Sequence, residues 1–291
     1  TEIIKSNPYN EDVVAFTGFD FLGGGYRNNA ATIFVTQKHW DERPVPVQAL
    51  VGELFGKTGH IKEALVLAFN PPPIFGLGTA GGFEFYIQNR GEGGAARLAE
   101  VMGQFQAAAG KDPQLAGVQS LWRATAPQLR VDVDRERAKA LGVPVDELFN
   151  TLAATLGSAY VNDFNKYGRA WQVLMSADAP YRKRPEDIGR MWVRSDKGEM
   201  IPVSALAKVS YSAGPETLDR FNNLPAVKLF GQGAPGVSSG QAIAAVEKIA
   251  RDTLPADFSF DWGGASYQEK RSSGTSGLAL GLAAIMVFLI L

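Results

Sequence analysis

Few residues in this sequence have the types and spacing that chemistry on a bound substrate requires. The run Gly52-Glu-Leu-Phe-Gly56-Lys57-Thr58 approximates a phosphate-cradling loop. It is one residue short of the spacing that wraps a phosphate in backbone N–H groups, and it lies in or at the end of a helix, not between a strand and a helix. His39 and His60 each lack a second ligand at helical spacing, so they read as surface or capping residues, not as a metal site. Asp132 and Asp134 alternate with Val131 and Val133 along one strand, a solvated face more than a carboxylate pair for acid–base work. With no cysteine there is no thiolate nucleophile, disulfide or Cys-ligated zinc, and no Gly-x-Ser-x-Gly elbow is present. An enzyme would have to build its site from scattered residues, and no cofactor is expected.

The residues that stand out are aromatic. Phe16-Thr-Gly-Phe19-Asp-Phe21-Leu-Gly23-Gly24-Gly25-Tyr26 joins two strands, and consecutive glycines imply either mobility or close backbone approach. If the segment is extended, Phe19 and Phe21 point to the same side. One reading is a movable aromatic lip on an apolar pocket, with Phe34 on the next strand as a wall. The other is a hairpin loop that folds its aromatics onto its own core. Further on, Phe69-Asn-Pro71-Pro-Pro-Ile-Phe75-Gly76 holds a triple proline that stiffens the chain and keeps it out of a sheet interior. It reads as a linker whose flanking Phe69 and Phe75 could edge a cleft.

The elements that would position these groups follow from periodicity. Strands are expected over Asp12 to Gly18, Ala30 to Thr36 and Glu63 to Phe69, with a helix from about Pro46 to Phe55, giving β, β, α, β. Phe83, Phe85 and Ile87 alternate with Glu84, Tyr86 and Gln88 as a half-buried strand. Leu98, Val101, Met102 and Phe105 form one face of a helix, and Leu115 to Trp122 returns as a strand. The pattern recurs later: Ala226 to Phe230 is extended, Ser238 with Gln241 signals a capping box, Ile243, Val246 and Ala250 line a helix, and Phe258, Phe260 and Trp262 alternate. Two such βαβ halves build one ferredoxin-like split sheet. Between them, about Pro127 to Gly214, lies a segment of different character. It has a strand at Leu129 to Asp134, a helix carrying Val145, Leu148, Phe149 and Leu152, strands near Ser158 to Phe164 and Ala170 to Met175, and a turn-rich stretch to Val203.

Charge is balanced at a formal −1 and spread evenly, so no basic stripe suits nucleic acid. From Ser272 to Leu291 there is no charge, and Gly277 to Leu291 is apolar throughout, shorter than the about 20 residues that span a bilayer core. With Thr1 in place of an initiator Met and Glu2 to Lys5 reading as a last helical turn, an internal piece of a larger membrane protein is expected. A complete protein with a short C-terminal anchor is the alternative.

Several stretches resemble the second large periplasmic loop of resistance-nodulation-division (RND) multidrug efflux transporters of the AcrB/MexB kind. They are Gly18-Phe-Asp-Phe21, Phe69-Asn70 with Gly78-Thr-Ala80, Ala138 to Val143, Ser158-Ala-Tyr-Val-Asn-Asp-Phe164, Gly231-Gln-Gly-Ala-Pro-Gly236 and Asp261 to Glu269, in family order along nearly the whole chain. The resemblance implies an α+β fold of tandem ferredoxin-like porter subdomains. Residues 1–75 would be subdomain PC1, 76–126 and 215–262 the two halves of PC2, 127–214 an inserted mixed α/β docking domain, and 263–291 a linker helix and truncated transmembrane helix.

It further implies that Phe16, Phe19, Phe21, Gly23, Gly24, Gly25 and Phe34 belong to a switch loop and distal drug pocket. Phe69, Pro71, Phe75, Gly76, Gln119, Lys228 and Phe230 would lie at a proximal entrance. The sequence departs from well-known members at that entrance, with Gly76 where an acidic residue is common, Gln119 where a basic one occurs and Lys228 where an acidic one occurs. The implied partners are amphiphilic drugs, two further copies in a homotrimer, a periplasmic membrane-fusion adaptor, an outer-membrane channel and the inner membrane of a Gram-negative bacterium. The family's proton-relay residues belong to other membrane helices, so these residues alone would not couple to a proton gradient. Rival readings are an RND exporter of a narrow substrate class, and a membrane-anchored periplasmic enzyme or assembly protein with tandem ferredoxin-like domains.

Overall fold

The computed structural model describes residues 1–71, 74, 76–78, 81–273 and 275–290, without the side chains of Asn28 and residues 275–279. The fold is α+β and divides into two compact units, residues 1–123 with 217–291, and residues 124–216. In chain order the first unit begins with α1 (Glu2–Lys5), β1 (Asn10–Asp20), β2 (Gly25–Gln37) and α2 (Val47–Thr58). It continues with β3 (Phe83–Asn89), α3 (Gly94–Ala109) and β4 (Leu115–Gln119). The second unit comprises β5 (Ala126–Val133), α4 (Arg135–Ala140), α5 (Val145–Leu152), β6 (Ala159–Lys166), β7 (Arg169–Met175), α6 (Pro185–Gly189), β8 (Trp192–Arg194), β9 (Met200–Pro202) and β10 (Ala207–Gly214). The first unit resumes with β11 (Arg220–Phe221), β12 (Leu224–Gly233), α7 (Ser239–Thr253), β13 (Phe258–Gly263), α8 (Gly264–Ser272) and α9 (Thr275–Ile290).

In the first unit, β13, β3, β12 and β4 stand side by side in that order, every neighbour antiparallel. Each βαβ crossover, β3-α3-β4 and β12-α7-β13, therefore spans one foreign strand, which is the split arrangement expected from the two repeated patterns. Leu98, Val101, Phe105 and Ala109 of α3 and Ile243, Val246 and Ala250 of α7 are buried against one sheet face. There Phe85 stacks on Phe105 at 5.2 Å and meets Trp262 edge-on at 5.0 Å. Burying each such side chain stabilises the fold by roughly 1.5–3 kcal/mol. The capping box at Ser238 forms as expected, its Oγ accepting from the Gln241 N–H at 3.3 Å.

Three expectations need correction in this unit. Strand β3 is buried on both faces, not half-buried: Glu84 and Gln88 are nearly as inaccessible as Phe83 and Ile87, because the face away from the helices is itself covered by Phe221, Leu77 and Gly264. Residues 63–69 form no strand. An extended segment becomes a strand only with a ladder partner, and residues 63–69 have none among the described residues. The supposed loop Phe16 to Tyr26 is mostly ladder, since β1 runs to Asp20 and β2 starts at Gly25. Helix α9 carries no charge and is 16 residues long; among the described residues no helix is long and apolar enough to cross a membrane.

In the second unit, β5 and β10 pair antiparallel, and a core of Ala138, Val143, Leu148, Leu152, Ile188, Val193, Val203 and Leu206 forms behind them. Phe149 of α5 is half exposed. Asp134 ends β5 and caps α4, its Oδ1 accepting the Arg137 N–H at 2.9 Å, while Asp132 pairs with Arg130 at 2.7 Å. The two carboxylates thus do structural work. The stretch before Val203, which reads as turns in the sequence, holds α6, β8 and β9, and supplies Ile188, Val193 and Val203 to the core.

Candidate ligand-contact site

The most distinctive surface is the β1–β2 hairpin. Its register pairs Val14 with Phe34, Phe16 with Thr32 and Phe19 with Tyr26, with a bulge between Thr17 and Phe19. Alternation alone would put Phe16 and Phe19 on opposite faces. Gly18, at φ +79°, is the extra residue of the bulge, and it brings both rings to one face. The result is a continuous row: Phe21 meets Phe34 at 5.6 Å, Phe34 meets Phe16 at 5.8 Å, Phe16 meets Phe19 at 6.4 Å and Phe19 meets Tyr26 at 5.7 Å. The first three contacts are edge-to-face, a geometry worth about 0.5–1.5 kcal/mol beyond the area buried. Phe16, Phe34 and Tyr26 nonetheless remain exposed. The row is neither a free lip nor a closed core; it is an ordered aromatic surface open on one side.

Polar groups that the sequence did not single out hold its tip. The Thr32 hydroxyl donates to the Phe19 carbonyl at 2.8 Å and accepts the Phe21 N–H at 3.1 Å, curling the turn back over β2. Asp20, only 7% exposed, accepts the Gly23 N–H at 2.9 Å and pairs with Arg27 at 3.3 Å. The three glycines are not equivalent. A Cβ on Gly23 would sit 2.3 Å from the Asp20 carboxylate, Gly24 has φ +71°, and Gly25 has neither constraint.

The residues assigned to the entrance separate into groups. Gln119 on β4 and Glu84 on β3 both lie opposite Phe230 of β12. Two residues along β12, Lys228 reaches Glu84, with Nζ to Oε2 at 3.2 Å. Glu84 is 6% exposed, and Gly264, at φ +57°, brings backbone over it: a Cβ there would meet Leu77 O at 2.8 Å. Beside this pair Tyr86 stacks on Phe221 at 3.9 Å, and burial, then the nearby Glu84 and Asp219 carboxylates, push its phenol up to about 12. Gly76 lies in a turn at φ +90° and edges an open cleft of about 490 Å³ with Phe221, Asp261, Gly264 and Tyr267. A neighbouring cleft of about 470 Å³ lies along β13 and α8. Neither cleft is lined by the aromatic hairpin. Phe69 and Pro71 are exposed on the segment leading to β3, and Phe75 lies outside the described residues. Among the described residues no group of His, Cys, Asp and Glu could hold a metal ion.

Compared with known sequences, residues 1–291 match the AcrB/AcrD/AcrF family throughout. The chain belongs to that family. It is 38% identical over 96% of its length to the toluene efflux pump membrane transporter TtgB of Pseudomonas putida, and 36% identical over 97% to the multidrug export protein AcrF of Escherichia coli. It is 32% identical over 99% to the multidrug resistance protein MdtF of Escherichia coli. The matched region is 26%, 27% and 28% of those relatives, so the chain spans about a quarter of their length. The AcrB/AcrD/AcrF family is one of RND transporters and not of enzymes.

Proposed function

We propose that this chain is the periplasmic drug-path and outer-channel docking portion of a proton-driven multidrug exporter of the RND class, a drug/proton antiporter. In this reading it works as a homotrimer in the inner membrane of a Gram-negative bacterium, with a membrane-fusion adaptor and an outer-membrane channel. The observation that carries the reading is the row Phe21, Phe34, Phe16, Phe19 and Tyr26 on one hairpin face. Ring faces and edges attract many apolar shapes without demanding a hydrogen-bond pattern, which suits unrelated amphiphiles. Covering a ring contributes roughly 1.5–3 kcal/mol at most, so a ligand held by two or three rings is bound firmly enough to be selected and loosely enough to leave. Transport then requires states in which that surface is alternately accessible and covered, a shift in population between conformations.

The entrance role of Gly76, Gln119, Lys228 and Phe230 belongs to the same proposal. The ion pair with Glu84 modifies it: Lys228 adds no net charge there, so the entrance does not favour anionic drugs on its account.

The test is export by the full-length pump. Replacing Phe19 and Phe21 by Ala should lower resistance to bulky amphiphiles while expression and trimer formation stay intact. Unchanged resistance across a broad panel of such compounds would defeat the assignment.

A further inference from the structure

The cleft of about 470 Å³ along β13 and α8 holds no residue of the aromatic hairpin and none of the entrance group. Tyr267, Lys270 and Arg271, at i, i+3 and i+4 of α8, line it from that helix, and Glu247, Asp261 and Trp262 line it from α7 and β13. Glu247 is compensated, with Lys270, Arg251 and the Trp262 indole N–H around it. Two other charges are not. Among the described residues Asp261 accepts only from neutral donors, Asn222 Nδ2 and the Trp262 N–H, each at 2.8 Å. Arg271 is exposed and has no acidic partner among the described residues. The two share a cleft without closing on each other, which leaves room for a ligand that carries an anion and a cation a few ångströms apart.

The chain then enters α9. Thr275 is four residues past Arg271, at most about 14 Å of chain. Helix α9 carries no charge, and every residue from 280 to 290 is exposed. Its 16 residues measure about 24 Å, enough to enter a bilayer core of about 30 Å. Tyrosine and basic side chains beside an apolar helix sit at the level of lipid headgroups.

We infer that the cleft binds the headgroup of a phospholipid that bears a primary ammonium. Arg271 and the Tyr267 hydroxyl hold its phosphate, Asp261 takes its ammonium, and its acyl chains lie in the layer that α9 enters. A guanidinium matches phosphate geometry, and a carboxylate holds an ammonium that has hydrogens to donate better than a fully methylated one. The inference rests on the membrane placement in the proposed function and not on any property of the exported compound.

The experiment is native mass spectrometry of the full-length protein in mild detergent. It is offered equal amounts of phosphatidylethanolamine, phosphatidylcholine and phosphatidylglycerol with identical acyl chains. Phosphatidylethanolamine should be retained about three- to fivefold over each of the others, the range an exposed charge pair supplies. Arg271→Gln should lower its retention. Asp261→Asn should abolish its advantage over phosphatidylcholine while total bound lipid stays unchanged, which also shows that this variant is folded. Arg135→Gln, an exposed cation of the second unit, should alter neither reading. A preference that survives both cleft variants, or displacement of the lipid by soluble phosphoethanolamine at the same concentration, would overturn the inference. Equal retention of all three lipids would overturn it and leave the membrane placement standing, whereas retention of no lipid would overturn both.

Discussion

Glu84 and Lys228 meet at 3.2 Å as a diagonal pair on adjacent strands of the split sheet, with Glu84 almost fully buried and the Lys228 side chain one-quarter exposed. Removing one partner of a buried pair leaves a charge without compensation, which costs more than the pair contributes when intact. Lys228→Met should therefore lower stability by about 2–3 kcal/mol, under the ~3–5 of a fully buried pair because Lys228 keeps contact with water. Adding Glu84→Gln should recover part of that loss. The check is thermal unfolding of the two single variants and the double variant; additive losses would mean that the two groups are not coupled.

Thr32 makes two hydrogen bonds to the hairpin tip through one hydroxyl. Thr32→Val keeps the shape and removes both, at a cost of about 1–2 kcal/mol. Phe21 should then lose its fixed approach to Phe34. In the full-length protein this variant should show faster amide exchange at residues 19–23, while Thr32→Ser behaves as the parent.

The glycine run gives a position-specific test. Gly25→Ala should be within ~0.5 kcal/mol of neutral, as surface changes away from special features are. Gly23→Ala must push Asp20 away from the Gly23 N–H and from Arg27, and Gly24→Ala is strained by its positive φ. Melting temperatures of the three variants should fall in that order, with Gly25→Ala least affected.

Glu247 of α7 accepts hydrogen bonds from Trp262 Nε1 at 3.0 Å and from Lys270 of α8, and it pairs with Arg251 at 3.4 Å. Burial pushes its carboxyl up, but the Lys270 and Trp262 hydrogen bonds, with help from Arg251, outweigh this and hold it below the ordinary 4.5. A lowered folded value means that the carboxylate's contribution is complete above the unfolded value and is lost as pH falls through the folded one. Corrected for the intrinsic pH dependence of exchange, amide exchange in α8 should accelerate in the parent as pH falls below the ordinary 4.5. Glu247→Gln should flatten that dependence, and an equal acceleration in both proteins would show that another group is responsible.

The helix faces were readable because their pattern is local: Leu98, Val101 and Phe105 recur every three or four residues, whichever strand they pack against. The split order of the sheet followed from repeating that pattern around an intervening segment. Features that depend on pairing were not readable. Whether residues 63–69 form a strand depends on a partner, not on composition, and Glu84 looks like an outward residue until Phe221 and Gly264 are seen to cover it. The aromatic composition of the hairpin pointed to Phe16, Phe19, Phe21 and Phe34. Their common face could not be derived, because it depends on the one-residue shift at Gly18. Thr32, Asp20 and Arg27 carried no signal, since each is an ordinary strand residue until the turn folds back on it.

That fold-back changes where the hairpin can bend. Three glycines in a row suggest a compliant hinge at the tip, but the tip is riveted to β2 by Thr32 and to Arg27 by Asp20.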